Sequence, residues 1–453
     1  MTISATPSGT RMPDLVTGLV DRIADRLIVA IENDEVGSDD RSAHERLVGH
    51  WVTEELREID RRLVREGDAP LDHVTRVGLV GTVVAEVLGA GPLDALLRDP
   101  DVEEIDVNSA EHTWVTRSDG SKVDIGRLWA SDADLTAFQK RCARRMSVTG
   151  EARLDTSSPM ATLQTSEGAR VVMVLGGRDE HGISPHPRLA IRRFVVRSVG
   201  LDGLADRGMF PRSTVAQLAA LVRAGLTILV SGPPGAGKTT LLTELLGAVD
   251  PRERIVTVEK HLLELRLEDD PRHPDAPALH TRGANAEGEG EITTRRLVEL
   301  TRRLNPDRVV VGELVEDEAL EMLDVASMCA RGSLATIHAH SADVVLHRLA
   351  YYVAKSDTAL PEFAVWSLIG QTVDLIVHID LVRNVGDGRT QRRVSSIIEV
   401  GGPGESGGVA SSEVFALDRN GVLTQVAPLS QRRLRRLQVA GEDPGLFTGW
   451  VRP

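Results

Sequence analysis

The residues best suited to do chemistry in this chain lie in one stretch, Leu226–Val249, which reads LTILVSGPPGAGKTTLLTELLGAV. Within it Gly232, Pro233, Pro234, Gly235, Ala236, Gly237, Lys238 and Thr239, followed by Thr240, fit the phosphate-loop pattern GxxxxGK[ST]. Glycines let backbone N–H groups turn inward around a polyphosphate, and a helix N-terminus adds partial positive charge at the same place. Lys238 would reach the β- and γ-phosphates of ATP, and the Thr239 hydroxyl would ligate Mg²⁺. The chain has only five lysines in 453 residues, so this match rarely arises by chance. The residues imply binding of a nucleoside triphosphate.

A loop of this kind needs a buried strand before it and a helix after it. Leu226–Val230 is an apolar, partly β-branched run, and the Leu-rich segment after Lys238 has helical spacing. Ligands in open parallel sheets bind at the carboxyl ends of strands. The polar residues that end the neighbouring apolar runs therefore come next. Ile255–Val258 ends at Glu259, Val309–Val311 leads into Gly312-Glu313, and Ser333–Ile337 reaches His338. Glu259 and Glu313 can orient or deprotonate water and contribute to a Mg²⁺ sphere, and His338 can contact a γ-phosphate. Any one of them alone is an ordinary solvated strand-end charge. Three, at three strand ends beside a phosphate loop, argue for a site.

The rest of the chain sets the frame. Its length asks for two or three domains. The apolar content of 41% and charged content of 26% are those of a globular protein. The N-terminus lacks the basic and apolar regions of a signal peptide, and no apolar run reaches a bilayer-spanning length. Cys142 and Cys329 have no disulfide or metal-site spacing and suit a reducing cytoplasm. A net charge of −14 argues against general nucleic-acid binding. Apolar residues recurring every four positions predict helices over Pro13–Glu32, Ala43–Glu66 and Leu71–Val87. The expected organisation is a helical region (1–75), an α+β domain (76–199), a connector (200–210) and an α/β domain with a mainly parallel sheet (211–453). The basic segment Gln431–Leu437, QRRLRRL, reads as a solvated helix face or as a contact for lipid or a partner.

Several further segments carry a family resemblance. They are GPLDALLRDPDVEEIDVN, SSPM with Gly168 and Arg170, LAIRRF, GPPGAGKTT, RIVTVEKHLLELRL, TRGANAEGEGEIT, NPDRVVVGEL and GSLATIHAHS, in that order over residues 85–350. Together they resemble the type II/type IV secretion ATPases, most closely the ATPase of tight-adherence (Flp-type) pilus systems. The resemblance implies an ATP-hydrolysing hexamer with an α+β N-terminal domain folding over a RecA-like motor domain. Such an enzyme sits in the cytoplasm against a platform protein of the inner membrane. It also implies roles. The glutamate matching Glu259 helps to activate water, the one matching Glu313 belongs to the Walker B strand, and the histidine matching His338 lies near the γ-phosphate. Arginines matching Arg170 and Arg192 neutralise charge in the transition state.

The chain departs from that pattern at definite places. Lys260 stands where the family has an aspartate after Glu259, and Val315 where an arginine follows Gly-Glu-hydrophobe. Cys329-Ala330 replaces the first two positions of GHxG, Gln164 an arginine, and His340 an asparagine. A cation beside Glu259 is expected to lower its pKa and compete with Mg²⁺, although strand alternation would send Lys260 to the other face. Three readings follow: a hydrolysing motor, a weakly active or non-hydrolysing ring subunit, and a nucleic-acid translocase. The last is disfavoured by charge and by an aromatic content of 3%.

Overall fold

The computed structural model describes residues 12–32, 41–88, 91–146, 154–165, 169–177, 183–193, 199–260, 264–284, 289–316, 318–356, 358, 360–383, 390–404 and 408–448. Gly168, Phe194 and residues 261–263 and 285–288 of the family-like segments lie outside this set. The chain divides into two units, Met1–Val195 and Val196–Pro453.

In the first unit, helices α1 (Met12–Glu32), α2 (Arg41–Glu66) and α3 (His73–Leu88) bury their four-residue apolar stripes against one another. Leu19, Ile23 and Leu27 of α1 meet Val52, Leu56 and Leu63 of α2 in that core. A short helix α4 (Asp94–Arg98) then leads into β1 (Val102–Ser109), β2 (His112–Arg117) and β3 (Lys122–Gly126). Helix α5 (Asp132–Met146) precedes β4 (Met160–Gln164), β5 (Arg170–Val174) and β6 (Arg188–Arg192). These strands make an antiparallel sheet in the order β3-β2-β1-β6-β5-β4. One face packs on α5 through Ile105, Val171, Met173, Ile191, Leu135 and Phe138. The alternation in β5 and β6 leaves Arg170 and Arg192 on the other face.

The second unit is α/β. It runs α6 (Gly200–Asp206), α7 (Arg212–Arg223), β7 (Ile228–Gly232), α8 (Lys238–Leu246), β8 (Ile255–Glu259), β9 (Ala278–His280), α9 (Thr294–Thr301), β10 (Arg308–Leu314), α10 (Glu318–Met328) and β11 (Leu334–His338). It continues with α11 (Val345–Ala354), α12 (Glu362–Thr372), β12 (Leu375–Arg383), β13 (Thr390–Pro403), β14 (Val409–Leu417), β15 (Leu423–Gln425) and α13 (Gln431–Val439). The sheet order is β15-β14-β13-β12-β7-β11-β10-β8-β9. Every pair from β12 to β9 is parallel, and β12 to β15 form an antiparallel extension. Helices cover both faces, which is why β7 and β8 read as unbroken apolar runs rather than alternating ones. Helices α7, α8 and α13 pack on one side, and α9 to α12 on the other.

Two sequence expectations need correction. Residues 200–210, read as a connector, form α6 and a following turn, and Leu201, Leu204, Met209 and Phe210 join the core around β7 and α8. Gly and Asp in that segment suggested a linker, but the apolar residues between them decide its place. The basic segment Gln431–Leu437 is α13, and half of its arginines are used internally. Arg433 (1% exposed) and Arg436 each reach Asp374 at 2.7 Å, while Arg432 and Arg435 are exposed. Without Asp374 the buried Arg433 would keep Glu399 at 3.6 Å and the Val400 carbonyl at 2.9 Å as partners.

Candidate active site

The site is built where β7 turns into α8. All five residues of β7 are buried, and the strand ends on Gly232. A Cβ at Gly232 would stand 2.5 Å from the carbonyl oxygen of Ile379 on β12, so that position accepts only glycine. Gly235 and Gly237 adopt left-handed φ values of 75° and 86°, and Gly237 is the residue from which α8 starts. A Cβ at Gly235 would meet nothing within 4 Å, leaving open space beside the loop. The loop therefore fits a polyphosphate at a helix N-terminus.

Lys238 opens α8 with its side chain almost fully buried (7% exposed). Its ammonium donates to the Pro233 carbonyl at 3.2 Å and to Nδ1 of His338 at 2.9 Å. An ammonium only donates, so Nδ1 accepts and the ring proton sits on Nε2. That nitrogen faces Glu313 Oε1 at 2.6 Å. The hydrogen bond from His338 holds the Glu313 carboxyl below its usual range, with Lys238 and Lys260 adding positive charge. Strand register brings the three together: β11 lies between β7 and β10, with His338 opposite Gly232. Two of the three strand-end candidates thus join the loop lysine in one continuous chain, Lys238–His338–Glu313. Thr336, on β11, pins the next strand through its hydroxyl, which donates to the Gly312 carbonyl at 2.5 Å.

Glu259 behaves differently. Its Oε2 accepts the backbone N–H groups of Glu264 (2.6 Å) and Leu265 (2.9 Å), and its Oε1 is buried without a hydrogen-bond partner among the described residues. Burial pushes its carboxyl up to about 7, against the downward shift expected from Lys260. Lys260 is exposed, and its charge acts on Glu313 instead. Lys260 is the first residue after β8, and it is exposed where Glu259 is buried. Glu259 remains next to the site: its Cγ lies 3.1 Å from where a Cβ on Gly312 would stand.

Residues 86–431 match the family described as Type II/IV secretion system protein. The chain belongs to that family. Among similar sequences, a Mycobacterium tuberculosis protein whose name refers to conjugal transfer is 33% identical over 301 residues, covering 65% of this chain and 81% of its own. The type IV secretion system protein PtlH of Bordetella pertussis is 29% identical over 318 residues, covering 63% and 92%. Among solved structures, the VirB11 ATPase of Brucella suis aligns with a TM-score of 0.35 at 24% identity, over 68% of this chain and 94% of that one.

In this secretion-family chain the two arginines named from sequence lie in the first unit. Arg170 and Arg192 are direct partners across β5 and β6, in a row that continues to Gln164 on β4 and Glu104 on β1. Arg192 is exposed and reaches Glu104 at 3.7 Å. Of the departures, Lys260 reaches Glu313 through its charge. Cys329 and Ala330 precede β11, at the opposite end of the strand from His338. Val315 N–H donates to Glu318 Oε1 at 2.8 Å, joining β10 to the start of α10. His340 is exposed.

The sequence reading missed Arg392, on β13. Its Nε–H donates to the Gly235 carbonyl at 3.0 Å, inside the phosphate loop. The residues are separated by 157 positions, and only the pairing of β12 with β13 brings them together. No local motif signals it. Among the described residues no group of three or more His, Cys, Asp or Glu is placed to hold a metal on its own. A Mg²⁺ ion bound largely by phosphate oxygens and water needs only one or two protein ligands, and Thr239 and Glu313 are suited to supply them.

Proposed function

We propose that this chain is an ATPase of a type II/IV secretion or pilus system, a hexameric motor that powers pilus assembly or protein secretion across the cell envelope. The observation that carries the reading is the Lys238–His338–Glu313 chain at the end of a phosphate loop. Lys238 can exchange its His338 contact for the β- and γ-phosphates, and His338 then contacts the γ-phosphate while keeping Glu313 in place. Thr239 and Glu313 would hold Mg²⁺, which supplies charge neutralisation on the phosphoryl oxygens. Water attacks the γ-phosphorus, the bond to the β-phosphate oxygen breaks, and ADP and inorganic phosphate leave. Glu259 orients the water or takes its proton. Arg170 and Arg192 are the cations proposed to neutralise charge on the phosphoryl oxygens in the transition state. The motor works in the cytoplasm, docked on an inner-membrane platform protein, and a Flp-type pilus is the system proposed.

The second reading is a ring subunit that binds nucleotide but turns it over slowly. Its support is Glu259, whose carboxylate is buried and engaged by the backbone of residues 264–265. ATP turnover by the purified full chain separates the two. Steady phosphate release that is lost in Lys238→Ala supports the motor. Tight ATP binding without release supports the second reading.

A further inference from the structure

A phosphate loop receives its ligand at little cost only if it is already shaped before the ligand arrives. Two of its glycines hold left-handed conformations, and glycine is the residue least able to keep a fixed shape by itself. The outer side of this loop is held by three segments remote in sequence. The carbonyl of Ile379 on β12 closes on Gly232. The methyl of Met209, from the turn after α6, lies 3.6 Å from where a Cβ on Gly237 would stand, and the Cδ of Arg392 lies 3.5 Å from it. These segments are tied to one another, because Val394 N–H donates to the Met209 carbonyl at 2.8 Å and Val394 pairs with Ile379 in the β12–β13 ladder. Of the three, only Arg392 makes a side-chain hydrogen bond to the loop in this set, from Nε–H to the Gly235 carbonyl.

We propose that Arg392 is a positioning residue for nucleotide binding, which holds the phosphate loop in its receiving shape through the Gly235 carbonyl. The inference rests on the nucleotide-binding reading above. Arg392 pairs with Leu381 on the β12–β13 ladder and is an exposed residue, outside the buried core. The hydrogen bond engages a carbonyl oxygen, which leaves the N–H groups of the loop for the phosphates. Without it the loop samples other shapes, and apparent affinity falls by the fraction of molecules that remain competent. The effect is on binding rather than on the chemical step. It is equal for ATP and ADP, because Gly235 does not distinguish the γ-phosphate.

The test compares wild type, Arg392→Ala, Arg392→Lys and Lys238→Ala in three measurements. These are ADP and ATP affinity, the KM and kcat for ATP, and amide hydrogen exchange of a peptide covering 232–240 without nucleotide. Loss of one charge-assisted hydrogen bond predicts about a tenfold rise in Kd and KM for Arg392→Ala. The kcat and thermal midpoint should stay within about twofold and about 2 °C of wild type. Exchange in the 232–240 peptide should quicken, and Arg392→Lys, which can still donate to Gly235, should recover most of the loss. Unchanged affinity with unchanged exchange overturns the inference, as does a fall in kcat at constant KM. If Arg392→Ala fails to fold, the inference is overturned as well, since the residue would then be structural. If wild type binds no nucleotide, the functional reading itself has failed, while faster exchange in Arg392→Ala would still mark the clamp.

Discussion

Glu313, at the end of β10, is partly exposed and hydrogen-bonded to His338, and its carboxyl titrates below the usual range. Glu259, one strand away at the end of β8, is 4% exposed, is tied to backbone N–H groups and is pushed up to about 7. The residue type is the same, the strands are parallel neighbours, and the sheet ends are equivalent. What differs is the chain that follows. After β8 the chain folds back so that Glu264 and Leu265 donate to the Glu259 carboxylate. After β10 it leaves toward α10, with Glu318 taking the Val315 and Glu316 N–H groups, so the Glu313 side chain stays available to His338. Burial raises the Glu259 carboxyl while the Glu264 and Leu265 N–H groups pull it down, so burial sets it apart from Glu313, which His338 pulls down.

The largest effects test the Glu313 side. Lys238→Ala should remove tight ATP binding, measured by titration calorimetry, because it removes the buried cation at the loop. Glu313→Gln should keep ATP affinity within a fewfold and lower turnover by about a hundredfold or more. Normal turnover in Glu313→Gln would show that the two glutamates have been given the wrong roles. His338→Ala comes next. It should cost roughly tenfold or more in kcat by releasing Glu313, with thermal stability close to wild type.

Glu259 carries a pH signature that Glu313 lacks. A carboxyl whose pKa rises from 4.5 to about 7 on folding binds its proton more tightly in the native state. The fold is therefore penalised as pH rises from 4.5 through 7, and the penalty is complete above that window. Glu259→Gln should raise stability at pH 8 by up to about 3 kcal/mol and leave it unchanged near pH 4.5. Equal unfolding curves at both pH values would contradict the buried assignment. If Glu259 serves as base, turnover of the wild type should also climb with pH through about 7 and flatten above it. The smallest change belongs to Lys260→Ala, which touches Glu313 only through its charge and should alter turnover by less than about threefold. A tenfold gain would mean that Lys260 restrains the site directly.

Much of this was legible in the sequence, for physical reasons that can be named. The phosphate loop is local: strand, glycines and helix are consecutive, so pattern and structure coincide at Gly232 to Thr240. Glu313 and His338 were legible because parallel strands end at one edge, and their apolar runs mark where they end. The state of Glu259 was not, since it depends on how deeply the folded chain buries the carboxyl. Arg392 was hidden because its contact is made across a strand ladder. Residues 200–210 were misread because small and acidic residues mask the four apolar side chains that enter the core. The arginines of α13 were ambiguous for a similar reason: only Asp374, some 60 residues earlier, shows which of them turn inward.

The central claim is that Lys238, His338 and Glu313 act as one hydrolytic unit. Steady-state phosphate release from Mg·ATP by the full chain, beside Lys238→Ala and Glu313→Gln, tests it most directly. Sustained release by wild type is expected, with both variants at the background rate and, of the two, Glu313→Gln still binding ATP. Wild-type release no greater than that of Lys238→Ala, from protein that binds ATP, would contradict it.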